Sequence, residues 1–213
     1  MSRRKVIYAA GTAAGTAAAA TLTTSNIPVA TAFRPQPQLA PPPFAHGVAS
    51  GDPISNSVVL WTRISAEDPQ VTVMWQVSTS MDFHTITAQG TATTDSSRDY
   101  TIHVDPFSLQ PATVYFYRFT VTTGHYAGQH SPTGRTKTAP TPGTPLEQLT
   151  LAVASCANWE SGYFSAYRDM AKRAELFDAT LFLGDYIYEY ASGSYAGNGP
   201  VRLHDPAHEL RTL

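Results

Sequence analysis

A chain of 213 residues, 42% of them hydrophobic, can bury the core of one ordinary domain with a further fragment beside it. Charged residues make up only 14% and the formal net charge is −2, so the composition offers no basic stripe for nucleic acid. The one cysteine excludes a disulfide within the chain.

At the start, Ser2-Arg3-Arg4-Lys5-Val6-Ile7 resembles a twin-arginine export signal. The Ala-, Thr- and Gly-rich stretch through Leu22 is only mildly hydrophobic, too weak for a stable membrane anchor. Ala30-Thr31-Ala32 then offers a cleavage site between Ala32 and Phe33. A disordered Ala-rich tail is the plainer alternative. On the export reading, residues 1–32 are a signal peptide that engages the twin-arginine machinery. The protein then works in the periplasm, in the cell wall or outside the cell. Residues 33–43 close on Pro41-Pro42-Pro43 and read as an extended spacer.

Residues 44–138 read as all-β. Val71, Val73, Trp75 and Val77 alternate with Thr72, Met74, Gln76 and Ser78. Tyr100, Ile102 and Val104 alternate too, as do Tyr115, Tyr117, Phe119 and Val121. Turn signals at Gly51-Asp52-Pro53, Asp68-Pro69, Asp105-Pro106 and Thr123-Gly124 separate these runs. Leu109 to Tyr115 resembles the tyrosine-corner segment of fibronectin-type sandwiches. The expectation is an Ig- or fibronectin-like β-sandwich.

Residues 139–147, with Pro140, Pro142 and Pro145, read as a linker, and 148–213 as the start of an α/β domain. Leu149 to Ala154 is an apolar run that ends in Ser155-Cys156. A helical pattern of Tyr163, Tyr167, Ala174 and Phe177 follows. A second apolar run, Leu181-Phe182-Leu183, stops at Gly184-Asp185. Strand, helix, strand implies parallel strands joined by a right-handed crossover. Cys156 and Asp185 would then be neighbours at one rim of the sheet, where α/β folds bind ligands. Asp185 and a nearby phenol could offer two oxygens to a hard cation.

Ala154-Ser155-Cys156, Gly162-Tyr163-Phe164 and the run Gly184-Asp185-Tyr186-Ile187-Tyr188-Glu189-Tyr190 resemble the alkaline phosphatase D (PhoD-like) metallophosphoesterase family. His46 to Pro53 and Val59-Leu60-Trp61-Thr62-Arg63 resemble the start of that family's N-terminal domain. The resemblance implies a ferric ion with calcium ions. Carried over, it makes Cys156, Asp185 and Tyr188 metal ligands. The thiolate and phenolate would sit on iron, and Asp185 would bridge iron and calcium as the catalytic carboxylate. The implied reaction is hydrolysis of phosphate monoesters or diesters by metal-activated water.

Each ligand also has an ordinary reading taken singly. A buried cysteine, a turn aspartate and a tyrosine cluster are common packing features. The Trp-Asp-Asp-His-Glu motif of the family does not occur in this sequence. The expectation is therefore a truncated metallophosphoesterase domain, inactive alone, with a non-catalytic exported β-sandwich as the alternative. In the last stretch, Asp205 and Pro206 read as the N-cap and first position of a helix. That places His204 outside the helix and breaks the pairing of His204 with His208. His46, His84, His103, His125 and His130 show no ligand spacing.

Overall fold

The computed structural model describes residues 41–195, 197 and 199–211. The export calls at Arg3, Arg4, Ala32 and Phe33 fall outside the described residues.

Seven strands form two antiparallel sheets. The first has the order β1 (Val48–Ile54), β2 (Ser57–Arg63), β5 (Thr101–Val104). The second has the order β4 (Ile86–Asp95), β3 (Gln70–Ser78), β6 (Val114–Val121), β7 (Gly134–Lys137). Alternation drives the packing. Val71, Val73 and Val77 of β3 and Tyr115, Tyr117, Phe119 and Val121 of β6 are buried together with Val58, Leu60 and Ile102 of the facing sheet. One core therefore joins both sheets into a sandwich. Tyr115 is buried, and its hydroxyl accepts a hydrogen bond from the Gln110 N–H at 2.8 Å, the tie that the tyrosine-corner sequence implies.

Other strands carried no clear period in the sequence, β4 and β7 among them. β4 reads Ile-Thr-Ala-Gln-Gly-Thr-Ala-Thr-Thr-Asp, an edge strand whose side chains are mostly small or polar. β7 has four residues, too few for an alternation to register. The Gly51-Asp52-Pro53 signal also resolves differently from a turn between strands. It lies inside β1, where the pairing with β2 slips between Gly51 and Ile54 and Asp52 takes a φ of 49°. A proline without an N–H is accommodated at such an irregularity on an edge strand.

The α/β part contains β8 (Leu151–Ala154) and β9 (Ala179–Phe182), which pair in parallel with Val153 opposite Leu181. The helical segment between them is shorter than its apolar spacing suggests. Helix α1 covers Ser165–Lys172, and a single 3₁₀ turn, Ala174–Leu176, follows. Phe164 holds a left-handed φ of 53° and offers no capping side chain, so the helix cannot extend upstream through Tyr163. Both apolar runs form strands, and these stay largely exposed. Ala152 is buried, whereas Val153 is 57% exposed and Leu183 70%. A pair of strands offers its residues too few neighbours.

The helix expected at Asp205-Pro206 does not form. The Leu210 N–H donates to the Glu189 carbonyl at 2.8 Å, and the His204 N–H to Ser192 Oγ at 3.0 Å. The Ala207 carbonyl accepts from the Ser192 N–H at 2.9 Å. The Leu210 N–H and the Ala207 carbonyl are backbone groups that a helix would need, and residues 189–192 engage both, so tertiary partners override the local cap signal. Among the described residues no helix is long and apolar enough to cross a membrane.

Candidate metal centre

The two parallel strands continue as a short ladder past their ends. The Leu183 N–H donates to the Ala154 carbonyl at 2.9 Å, Cys156 N–H to Gly184 O at 3.1 Å, and Ala157 N–H to Asp185 O at 2.8 Å. This ladder zips the Cys156 loop to the Asp185 loop. It also fixes an uncommon backbone: φ is 60° at Cys156, 54° at Asp185 and 111° at Gly184. Glycine enters that region without steric cost, but cysteine and aspartate do not. Non-glycine residues held there concentrate where surrounding structure over-determines them, often at functional sites.

The consequence is convergence. Cys156 Sγ lies 3.6 Å from Asp185 Oδ2, and the Tyr188 hydroxyl donates to the same oxygen at 3.3 Å. A thiol, a carboxylate and a phenol from two loops thus meet around one atom. The structure brings together all three of the ligands named from the sequence. Cys156 and Asp185 are exposed, and Tyr188 is half-buried. Desolvation, the hydrogen bond with Cys156 and the Asp185 charge push the Tyr188 phenol up to about 12. Tyr190 beside it is also raised, chiefly by its hydrogen bond with Tyr195 and the charges of Tyr195 and Glu189.

The histidines stand elsewhere. His46 Nε2 is 2.7 Å from Arg63 Nη1, His130 Nδ1 is 2.8 Å from Thr120 Oγ1, and His204 Nδ1 is 3.1 Å from the Tyr190 carbonyl. Among the described residues no group of three or more His, Cys, Asp or Glu side chains could hold a metal ion.

Sequence reasoning missed the segment that wraps the Cys156 loop. The Gly193 N–H donates to both oxygens of buried Glu160, at 2.9 and 3.1 Å. The Tyr195 ring packs against Tyr190 and Tyr188, with centroids 4.5 and 6.1 Å apart. Residues 191–203 have no hydrophobic period, so only the aromatic and glycine content hinted at a wrap.

A family model described as PhoD-like phosphatase, N-terminal domain, matches residues 29–140, and one described as PhoD-like phosphatase matches residues 151–213. Alkaline phosphatase D of Bacillus subtilis (strain 168) is 43% identical over 221 residues, covering 99% of this chain and 36% of that protein. A solved structure of PhoD superposes with a TM-score of 0.72 at 43% identity, covering 80% of this chain and 33% of that one. The chain thus spans about a third of the length of these relatives. Two family models in the family's order, and a close relative aligned along nearly the whole sequence, make this chain a member of the PhoD-like phosphatase family.

Proposed function

We propose that this chain carries the sandwich and the first part of the catalytic centre of an exported phosphoric ester hydrolase of the alkaline phosphatase D type. In this reading residues 44–138 are an Ig- or fibronectin-like domain, 139–147 the linker, and 148–213 the beginning of the metallophosphoesterase domain. The observation that carries the reading is the meeting of Cys156, Asp185 and Tyr188 at the ends of two parallel strands, in strained backbone.

The donor set fits a ferric ion with calcium alongside. Thiolate and phenolate are anionic donors suited to a high-charge transition metal, and a carboxylate oxygen also suits calcium. Cys156 and Tyr188 would hold the iron, and Asp185 would bridge iron and calcium. When bound, these ions supply Lewis-acid charge for the attack of water on phosphorus.

The residues set the conditions for that chemistry. As an iron ligand Tyr188 would be a phenolate, and its phenol is pushed up to about 12 without metal. Asp185 would supply a negative charge to both cations. Its left-handed backbone turns the carboxylate toward Cys156 and Tyr188.

Export rests on Arg3 and Arg4, with cleavage between Ala32 and Phe33. The catalytic reading is tested by titrating the 213-residue chain with ferric ion and following visible phenolate-to-iron absorption. A band that appears in the wild type and is absent in Tyr188→Phe supports it. A band of equal strength in both removes Tyr188 from the ligand set.

A further inference from the structure

We propose that Arg202 is a positioning residue that braces the Cys156 loop and so sets the thiol against Asp185 and Tyr188. The inference rests on the metal-site reading above but draws on a separate set of contacts.

Arg202 is only 6% exposed, unusual for a guanidinium that has no carboxylate partner among the described salt bridges. Its Nε donates to the Trp159 carbonyl at 2.7 Å. The guanidinium carbon lies 3.2 Å from the centroid of the Trp159 ring, 4.7 Å from that of Phe164 and 5.4 Å from that of Tyr163. Three aromatic faces thus surround one buried cation, an arrangement whose attraction grows as water is excluded. Among the described residues Nη1 and Nη2 have no hydrogen-bond partner. The aromatic cage and the single Nε bond therefore hold this charge in place.

The neighbours of Arg202 close a clasp. The Val201 N–H donates to the Glu160 carbonyl at 2.8 Å, and Trp159 Nε1 to the Leu203 carbonyl at 2.9 Å. The Glu160 carboxylate accepts from Gly193. On the other side, the Glu160 N–H donates to Asn158 Oδ1 at 2.9 Å, and the Asn158 N–H to the Cys156 carbonyl at 2.9 Å. An unbroken path of short contacts thus runs from Arg202 through Trp159, Glu160 and Asn158 to Cys156.

That path answers a need at Cys156. Its left-handed φ persists only if the flanking chain cannot relax. The ladder to Gly184 and Asp185 restrains one side, and the Trp159–Arg202 clasp restrains the other. A ligand whose supporting contacts are removed loses orientation before it loses identity, typically at a cost of about 10- to 100-fold in metal affinity.

The test compares Arg202→Met, which keeps the volume but not the charge or the Nε donor, with Arg202→Lys, which keeps the charge but not the planar stack. Two readouts are used on the 213-residue chain. One is ferric affinity from the visible band. The other is the rate at which 5,5′-dithiobis(2-nitrobenzoate) modifies Cys156, the chain's single cysteine, in metal-free protein. The expected result for Arg202→Met is a ferric affinity about 10- to 100-fold weaker, with a several-fold change in thiol rate and no change in the melting of the sandwich. Arg202→Lys should fall between Met and wild type on both readouts. If residues 148–211 unfold in the Met variant, the Lys variant decides alone. Wild-type ferric affinity and thiol rate in both variants, or in a Lys variant that stands alone, overturn the proposal. If wild type itself shows no ferric band, the metal reading fails, and the thiol rates still decide whether Arg202 positions Cys156.

Discussion

Lys137 Nζ, at the end of the last sandwich strand, lies 2.5 Å from Asp178 Oδ1, just before β9. The other oxygen of Asp178 accepts the Thr150 N–H at 2.8 Å, and the Asp178 N–H donates to the Thr150 carbonyl at 2.8 Å. One carboxylate therefore ties the sandwich to the entrance of both parallel strands, bridging the Pro-rich stretch between them. The Lys137 hydrogen bond, with the Thr150 N–H behind it, holds Asp178 below the usual carboxylate range.

A depressed carboxylate contributes stability above the pKa of its unfolded state and loses it as pH falls through the folded value. The junction should therefore be firm at neutral pH and loosen once the medium drops well below about pH 4. At neutral pH, Asp178→Asn should raise the rate of protease cutting in residues 139–147 by about two- to five-fold, the scale of a partly exposed pair. Unchanged cutting would show that the tie restrains nothing.

Tyr115→Phe should destabilise the sandwich by about 0.5–1.5 kcal/mol, because the exposed Gln110 N–H loses its described acceptor and turns to water. Thermal melting of the variant against wild type measures it. A change within error would mean that water replaces the hydroxyl at no cost.

In a full-length enzyme that carries these residues, the same ligands can be tested against activity as well as against ferric binding. Cys156→Ser should sharply weaken iron binding, since a serine hydroxyl ionises far less readily than a thiol. Tyr188→Phe should abolish iron–phenolate colour. Asp185→Asn should lower the affinity for both ions and eliminate hydrolysis. Metal analysis alongside activity separates the three, and normal values for any one of them free that residue from its role.

Export is checked by replacing Arg3 and Arg4 together with lysine, which should trap the precursor in the cytoplasm. The exported wild-type protein should begin at or near Phe33 on N-terminal sequencing. Undiminished export of the double variant would count against the twin-arginine route.

The 213-residue chain itself should show no appreciable hydrolysis of p-nitrophenyl phosphate or its bis ester with added iron and calcium. Three donors cannot complete a site for several cations. Limited proteolysis should leave a resistant core near residues 44–138, where all the described buried hydrophobic side chains except Ala152 lie. Robust turnover by this chain would show the donor set to be sufficient.

Much of this architecture was legible because its causes are local. Val71, Val73 and Val77 announce a strand by period, and Tyr115 announces its corner by its distance from Leu109. Cys156 and Asp185 could be paired in advance because parallel strands put their ends side by side. What stayed hidden depends on contacts between distant segments. Nothing around Arg202 shows that it will enter a cage built by Trp159, Tyr163 and Phe164. Asp205-Pro206 carries a good cap signal, yet residues 189–192 claim the backbone groups that a helix would use. The left-handed conformation of Cys156 likewise follows from the ladder between the two loops and has no mark in residue type.

Every strand of both sandwich sheets lies at or before Lys137 in the chain. During synthesis the amino-terminal module can thus close while the later strands are still within or near the ribosome, since domains fold as units from the N-terminal side. Lys137 is then already anchored by β7 pairing when Asp178 emerges. The sandwich would then be a fixed dock on which the apolar parallel strands land.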